Sequence, residues 1–259
     1  MATSIVIIMS TEAVLSIFLT IIWLFSVRRY LKNKNRILRF FMLALLCGAL
    51  SPTFSFLAHL IRINGGWLVA GKYIQLMAFM NAFSILSGIF FLGFCLEVFY
   101  HGAWHKNNKI LMIVYSIAVF GVIIYTFWTG FLIDSLPTEN TYTEFLNPLA
   151  KGLVGALYMP VHIILFVAAY KLQKRVDSLY EKTMLRIFAI GPVAFFINVT
   201  LHTINGIVPG TPFNIPNMFV SMLSISCLYL GYMRPPWFQK FVKKRLPVTS
   251  AESPEEIAD

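Results

Sequence analysis

Charged side chains are scarce in this sequence. Only 12% of its 259 residues are Asp, Glu, Lys or Arg, where a soluble domain carries roughly 25%. So little charge leaves too little polar surface to coat a water-soluble globule. Acidic residues are the scarcest, 11 against 21 Lys and Arg. Cysteine is nearly missing as well: Cys47, Cys95 and Cys227 are odd in number and all sit in apolar stretches, which argues against a disulfide framework. The sequence contains no Gly-x-Ser-x-Gly elbow, no His-Glu-x-x-His pair and no phosphate-binding Gly loop. It therefore lacks the short signatures of serine hydrolases, zinc proteases and nucleotide-binding enzymes.

What is present is apolar. Hydrophobic residues make up 58% of the chain, with 24 Phe and 11 Met, and they come in long blocks rather than short periodic stripes. Lipid is the solvent that suits such a pattern. A hydrocarbon core of about 30 Å takes roughly 20 helical residues to cross. Seven blocks meet that length: 4–27, 37–61, 73–99, 110–133, 149–170, 185–205 and 217–233. No lipid-exposed irregular backbone is tolerated at these depths. The expectation is an all-α, polytopic membrane bundle of seven transmembrane helices over residues 1–233. Pro52, Pro160 and Pro192 fall inside spans and predict kinks. The first block lacks a basic leader and is followed by Arg28-Arg29, so it reads as a retained span and not as a cleaved signal peptide.

The net charge of +10 does not point to nucleic acid, because the basic residues lie in short clusters between the apolar blocks. Eighteen of the 21 fall on one side of the membrane in the seven-span arrangement. They are Arg28–Arg39, Lys106 and Lys109, Lys171–Arg186, and Arg234–Arg245; only Arg62, Lys72 and Lys151 fall on the other. The positive-inside rule then places the N-terminus outside and the C-terminus in the cytoplasm of a multi-pass cell-membrane protein. Residues 134–148 form the longest external connection. Beyond the seventh span, Trp237, Phe238, Phe241 and Val242 recur at helical spacing among lysines. That predicts an interfacial amphipathic basic helix over 234–246. Residues 247–259 read as a disordered acidic tail.

Ionisable groups inside a span cost roughly 2.5–3.5 kcal/mol at the bilayer centre, so each calls for a reason. Glu12 is the foremost, unless the first span begins after it and leaves it among headgroups. Further polar residues gather in the outer half: His59, Gln75, Asn81, Asn198, His202, Asn205, Asn217 and Ser221. The inner half holds only His162, near mid-span, and Glu97. The outer set, chiefly Glu12, His59, Gln75, Asn81, Asn198, His202 and Ser221, is a candidate site for a small polar or amphiphilic ligand. The bland alternative is that these groups are interhelical hydrogen-bond glue worth about 0.6 kcal/mol each. His101 and His105 have a metal-compatible spacing but lack a third ligand. His59 and His202 lie at similar depth without a clear haem cleft. Residues 217–233 contain no lysine for a retinal Schiff base. No cofactor or metal is expected.

Three segments carry a family resemblance: the basic turn RRYLKNKNR (28–36), the acidic-aromatic end of the third span LGFCLEVFYHGAW (92–104), and the exit GYMRPPWFQKFVKK (231–244). The chain resembles the seven-transmembrane N-terminal sensory region of prokaryotic histidine kinases, over as much as residues 1–245. That resemblance implies a bundle that perceives a signal and passes it to a cytoplasmic effector. The departure is that only fourteen residues follow Arg245, with no room for a kinase domain. The expectation is a standalone, non-enzymatic sensor with three kinds of partner: the lipid bilayer, a small-molecule ligand and a cytoplasmic signalling protein. A small-solute transporter using the same polar cluster is the alternative, and an intramembrane lipid-modifying enzyme is the third.

Overall fold

In a bilayer, backbone amides and carbonyls find no water, so each apolar block closes its own hydrogen bonds as a helix. The computed structural model describes residues 2–65, 70–100, 102–103, 105–131, 148–207 and 214–246. They form α1 (Ala2–Asn33), α2 (Arg36–Gly65), α3 (Ala70–Phe99), α4 (Lys106–Phe131), α5 (Pro148–Gln173), α6 (Leu179–Ile207), α7 (Asn214–Met233) and α8 (Pro236–Arg245). The first seven are long and apolar enough to cross a membrane, so the protein is an all-α, multi-pass membrane bundle. Several helices outrun their apolar blocks: α1 continues through Arg28–Asn33 and α6 begins at Leu179. The extra turns are polar, and 32 residues of α1 span about 48 Å, well beyond the hydrocarbon. Pro52, Pro160 and Pro192 all lie within helices.

Short connections bring the basic ends together. Lys34 takes a left-handed backbone (φ 44°), and Asn35 caps α2 by accepting the Ile37 amide at 2.9 Å. Asn is a favoured residue at that position. Ser178 plays the corresponding part for α6, its hydroxyl oxygen facing the Glu181 amide at 3.5 Å.

Packing joins α1 to α2, α2 to α3, α3 to α5, α5 to α6, α6 to α7, and α7 back to α1. α4 lies in the groove between α3 and α5. Its buried stripe is Met112, Val119, Val122 and Thr126, one face at helical spacing, while Ile113, Ile117, Ile124 and Trp128 are exposed. At the basic end Arg29 of α1 donates to the Met233 carbonyl, which ties the last turn of α7 to the first helix.

The core is aromatic toward that basic end. Phe94 of α3 meets Phe41 of α2 at 5.2 Å, Phe188 of α6 at 6.2 Å and, edge to face, Tyr232 of α7 at 4.7 Å between ring centroids. With lipid as the competing environment, dispersion between close-fitting surfaces drives such packing. α6 and α7 approach closely. Gly231 lies over the backbone of Phe188, and the Ser224 hydroxyl of α7 donates to the Gly191 carbonyl of α6 at 2.8 Å.

Candidate functional site

The end of the bundle opposite the basic residues is where polar side chains meet. Glu12 of α1 and Ser55 of α2 each lie sixteen residues from the nearest basic-end arginine in their helix, Arg28 and Arg39. That places both about 24 Å along the axis from the charged rim, inside a hydrocarbon layer of about 30 Å. Equal depth lets them meet: the Ser55 hydroxyl donates to Glu12 Oε1. His59, one turn beyond Ser55 on the same face of α2, sets Nδ1 2.8 Å from the Ser55 carbonyl and 3.4 Å from Glu12 Oε2. α3 closes the cluster. Tyr73 stands edge-on to the His59 ring at 5.8 Å, and Met77 places its sulfur 4.0 Å from the Ser55 hydroxyl. The Glu12 side chain keeps 20% of its surface accessible and His59 9%. α1 is continuous from Ala2 through Glu12, and the carboxylate is held against α2.

Chemically, this is a carboxylate with one hydroxyl donor and an imidazole beside it, walled by an aromatic ring and a thioether. Such a set suits an amine or another hydrogen-bond donor, since a carboxylate accepts through both oxygens and charge-assisted hydrogen bonds are the strong ones.

A second group lies deeper. Ser16 pairs with Thr53 at 2.6 Å and Ser51 with Ser84 at 3.2 Å. The Tyr158 hydroxyl of α5 donates to the Ser84 carbonyl and pairs with the Ser87 hydroxyl. One turn on from Tyr158 is His162, 1% exposed, with Nδ1 3.1 Å from the Tyr158 carbonyl and its ring stacked 3.5 Å from Phe195 of α6. These contacts form a seam of hydroxyls across α1, α2, α3 and α5. On the far side of the ring, Asn198 of α6 donates to the Ser221 hydroxyl and to the Asn217 carbonyl at 3.2 Å.

Of the residues singled out from the sequence, the structure brings Glu12 and His59 together and, separately, Asn198 with Ser221. Asn81 turns back to its own helix, donating to the Met77 carbonyl at 2.9 Å. Gln75 is exposed. His202 is in α6, but its side chain lies outside the described residues, as do His101, the 134–148 connection up to residue 147, and residues 247–259. Glu97 sits at the basic end of α3, beside Gly102. Among the described residues no three His, Cys, Asp or Glu side chains are grouped to hold a metal, and Cys47, Cys95 and Cys227 are free.

Sequence reasoning missed Ser55, Tyr73, Met77 and the Tyr158–Ser84–Ser87 junction. A usable signal existed for two of them. Ser55 precedes His59, and Tyr158 precedes His162, by four residues, which puts each pair on one helix face.

No family model, curated protein or solved structure matches the chain.

Proposed function

We propose that this protein is a membrane sensor, N-terminus outside and C-terminus in the cytoplasm, that binds a small ligand at Glu12, Ser55 and His59 and signals to a cytoplasmic protein. The observation that carries this reading is the Glu12 carboxylate, held within the apolar layer by Ser55 and His59. A carboxylate at that depth is costly, and in membrane proteins such groups mark sites of function. The orientation rests on the basic residues, 18 of 21 at one end, and it makes the Glu12 end the outward one. The concentration of Glu12, Ser55 and His59 at the end opposite the basic residues fits a site open to that side. The similarity of residues 28–36, 92–104 and 231–244 to histidine-kinase sensory regions supports the same role. The ligand class follows from the acceptor-rich site, a small molecule with an amine or hydroxyl donor.

The test is a thermal-stability screen of the purified protein against amines, polyols and amphiphiles, with Glu12→Gln alongside. A ligand at 100 times its Kd stabilises the fold by about 2.7 kcal/mol. Stabilisation by a donor-bearing ligand that is lost in Glu12→Gln upholds the site. Stabilisation that survives in the variant assigns the ligand elsewhere. The signalling half is tested by capture of a cytoplasmic partner that disappears when residues 234–259 are removed.

A second reading, transport, is favoured by one observation: hydroxyl pairs recur at successive depths inward from Glu12, Ser16 with Thr53, Ser51 with Ser84 and Ser87 with Tyr158. It predicts flux of the ligand in proteoliposomes, blocked by Glu12→Gln and by His162→Phe. Binding without flux discards it.

A further inference from the structure

We propose that α8 is an acidic-phospholipid-binding element, its Trp237 and Phe241 seated in the acyl boundary and its lysines on the headgroup phosphates. The chain cannot carry α7 onward into α8. Arg234 is left-handed (φ 47°), and Pro235-Pro236 follow, removing two amide donors at the junction. The Gln239 side chain donates to the Arg234 carbonyl at 2.6 Å and fastens the turn. The roll of α8 is then set by Phe238 and Val242, one turn apart. Both are buried with Met184 and packed by Tyr180, Ile187 and Leu230 at the ends of α6 and α7.

With the roll fixed, the outward side of the helix is committed. Trp237 and Phe241, also one turn apart, stay 64% and 48% exposed, immediately after the span that ends at Met233. Aromatic side chains at that level belong at the membrane interface. Lys240, Lys243, Lys244 and Arg245 are all exposed, and α8 contains no acidic residue. The nearby Glu181 is taken by Arg234 at 2.5 Å, so it does not neutralise them. Aromatic and cationic side chains interleaved on one short helix, with Arg245 4.4 Å over the Phe241 ring, fit a leaflet of acidic lipid, because the rings reach the acyl boundary and the cations reach phosphate. An acidic protein would satisfy the lysines but not the rings.

The experiment uses the full chain in nanodiscs that carry acyl-brominated lipid at a fixed mole fraction, either phosphatidylglycerol or phosphatidylcholine. Fluorescence lost in the wild type but not in Trp237→Phe reports quenching at Trp237 alone. Each lysine near an acidic surface is worth roughly fivefold in binding, so brominated phosphatidylglycerol should quench Trp237 about twofold or more above brominated phosphatidylcholine. The excess should vanish in Lys240→Gln/Lys243→Gln/Lys244→Gln, and in wild type at high salt. Equal quenching by the two lipids overturns the headgroup preference. An excess retained in the triple variant overturns its assignment to α8. Absence of Trp237 quenching by either lipid overturns the proposal outright and leaves that face to a protein.

Discussion

Gly231→Ala is expected to force α6 and α7 apart. A Cβ at Gly231 would lie 2.6 Å from the Phe188 Cβ, 2.7 Å from its amide nitrogen and 2.8 Å from its Cα. Those atoms belong to the α6 backbone and to the root of a buried ring, so no rotamer change clears them. The two helices must part by several tenths of an ångström, and Phe188 also supports Phe94 and Phe99. Overpacking of this kind costs about 1–3 kcal/mol. The control is Gly48→Ala in α2, where nothing lies within 4 Å of the new methyl. There the better helix propensity of alanine makes the change neutral or stabilising by up to about 1 kcal/mol. Titration of each detergent-solubilised variant with SDS, followed by near-ultraviolet circular dichroism, reads the difference. A Gly231→Ala midpoint equal to that of Gly48→Ala would refute the close backbone approach and the arrangement of α6 and α7 built on it.

Three further outcomes are expected. Tyr158→Phe removes a hydroxyl shared by Ser84 and Ser87 and should cost about 1–2 kcal/mol; adding Ser87→Ala should cost much less than its effect alone, which unfolding of the double variant measures. Ser55→Ala and Glu12→Gln should couple by about 0.5–3 kcal/mol in a double-mutant cycle, whereas strict additivity would dissolve their hydrogen bond. Arg29→Met frees the last carbonyl of α7 and should lower stability by about 1–2 kcal/mol; an unchanged unfolding midpoint would show that Arg29 does not hold that helix end.

The number and rough extent of the spans were legible because lipid sets a length rule that composition alone can be held to. Helix ends were not, since turns such as Arg28–Asn33 are as polar as a loop and differ only in closing backbone bonds. Glu12 stood out through the cost of its charge. Its partners did not, because α1, α2 and α3 are apolar around their whole circumference, and no polar stripe declares which side faces a neighbour. The roll of each helix had to be seen before Ser55 met Glu12 and before Gln75, on the same span as Tyr73 and Met77, was found on an outer surface. α8 shows the converse. Its four large apolar residues read as one lipid-facing stripe, yet the structure divides them, with Phe238 and Val242 turned to the bundle and Trp237 and Phe241 turned away.

The bond from Arg29 to the Met233 carbonyl and the packing of α1 on α7 bear on how the protein is made. A chain inserted in order from α1 holds its first helix at an open seam until the seventh has entered the bilayer. During that interval Arg29 has no α7 carbonyl to meet. Closure of the ring between α1 and α7 therefore waits for the last span to enter the bilayer.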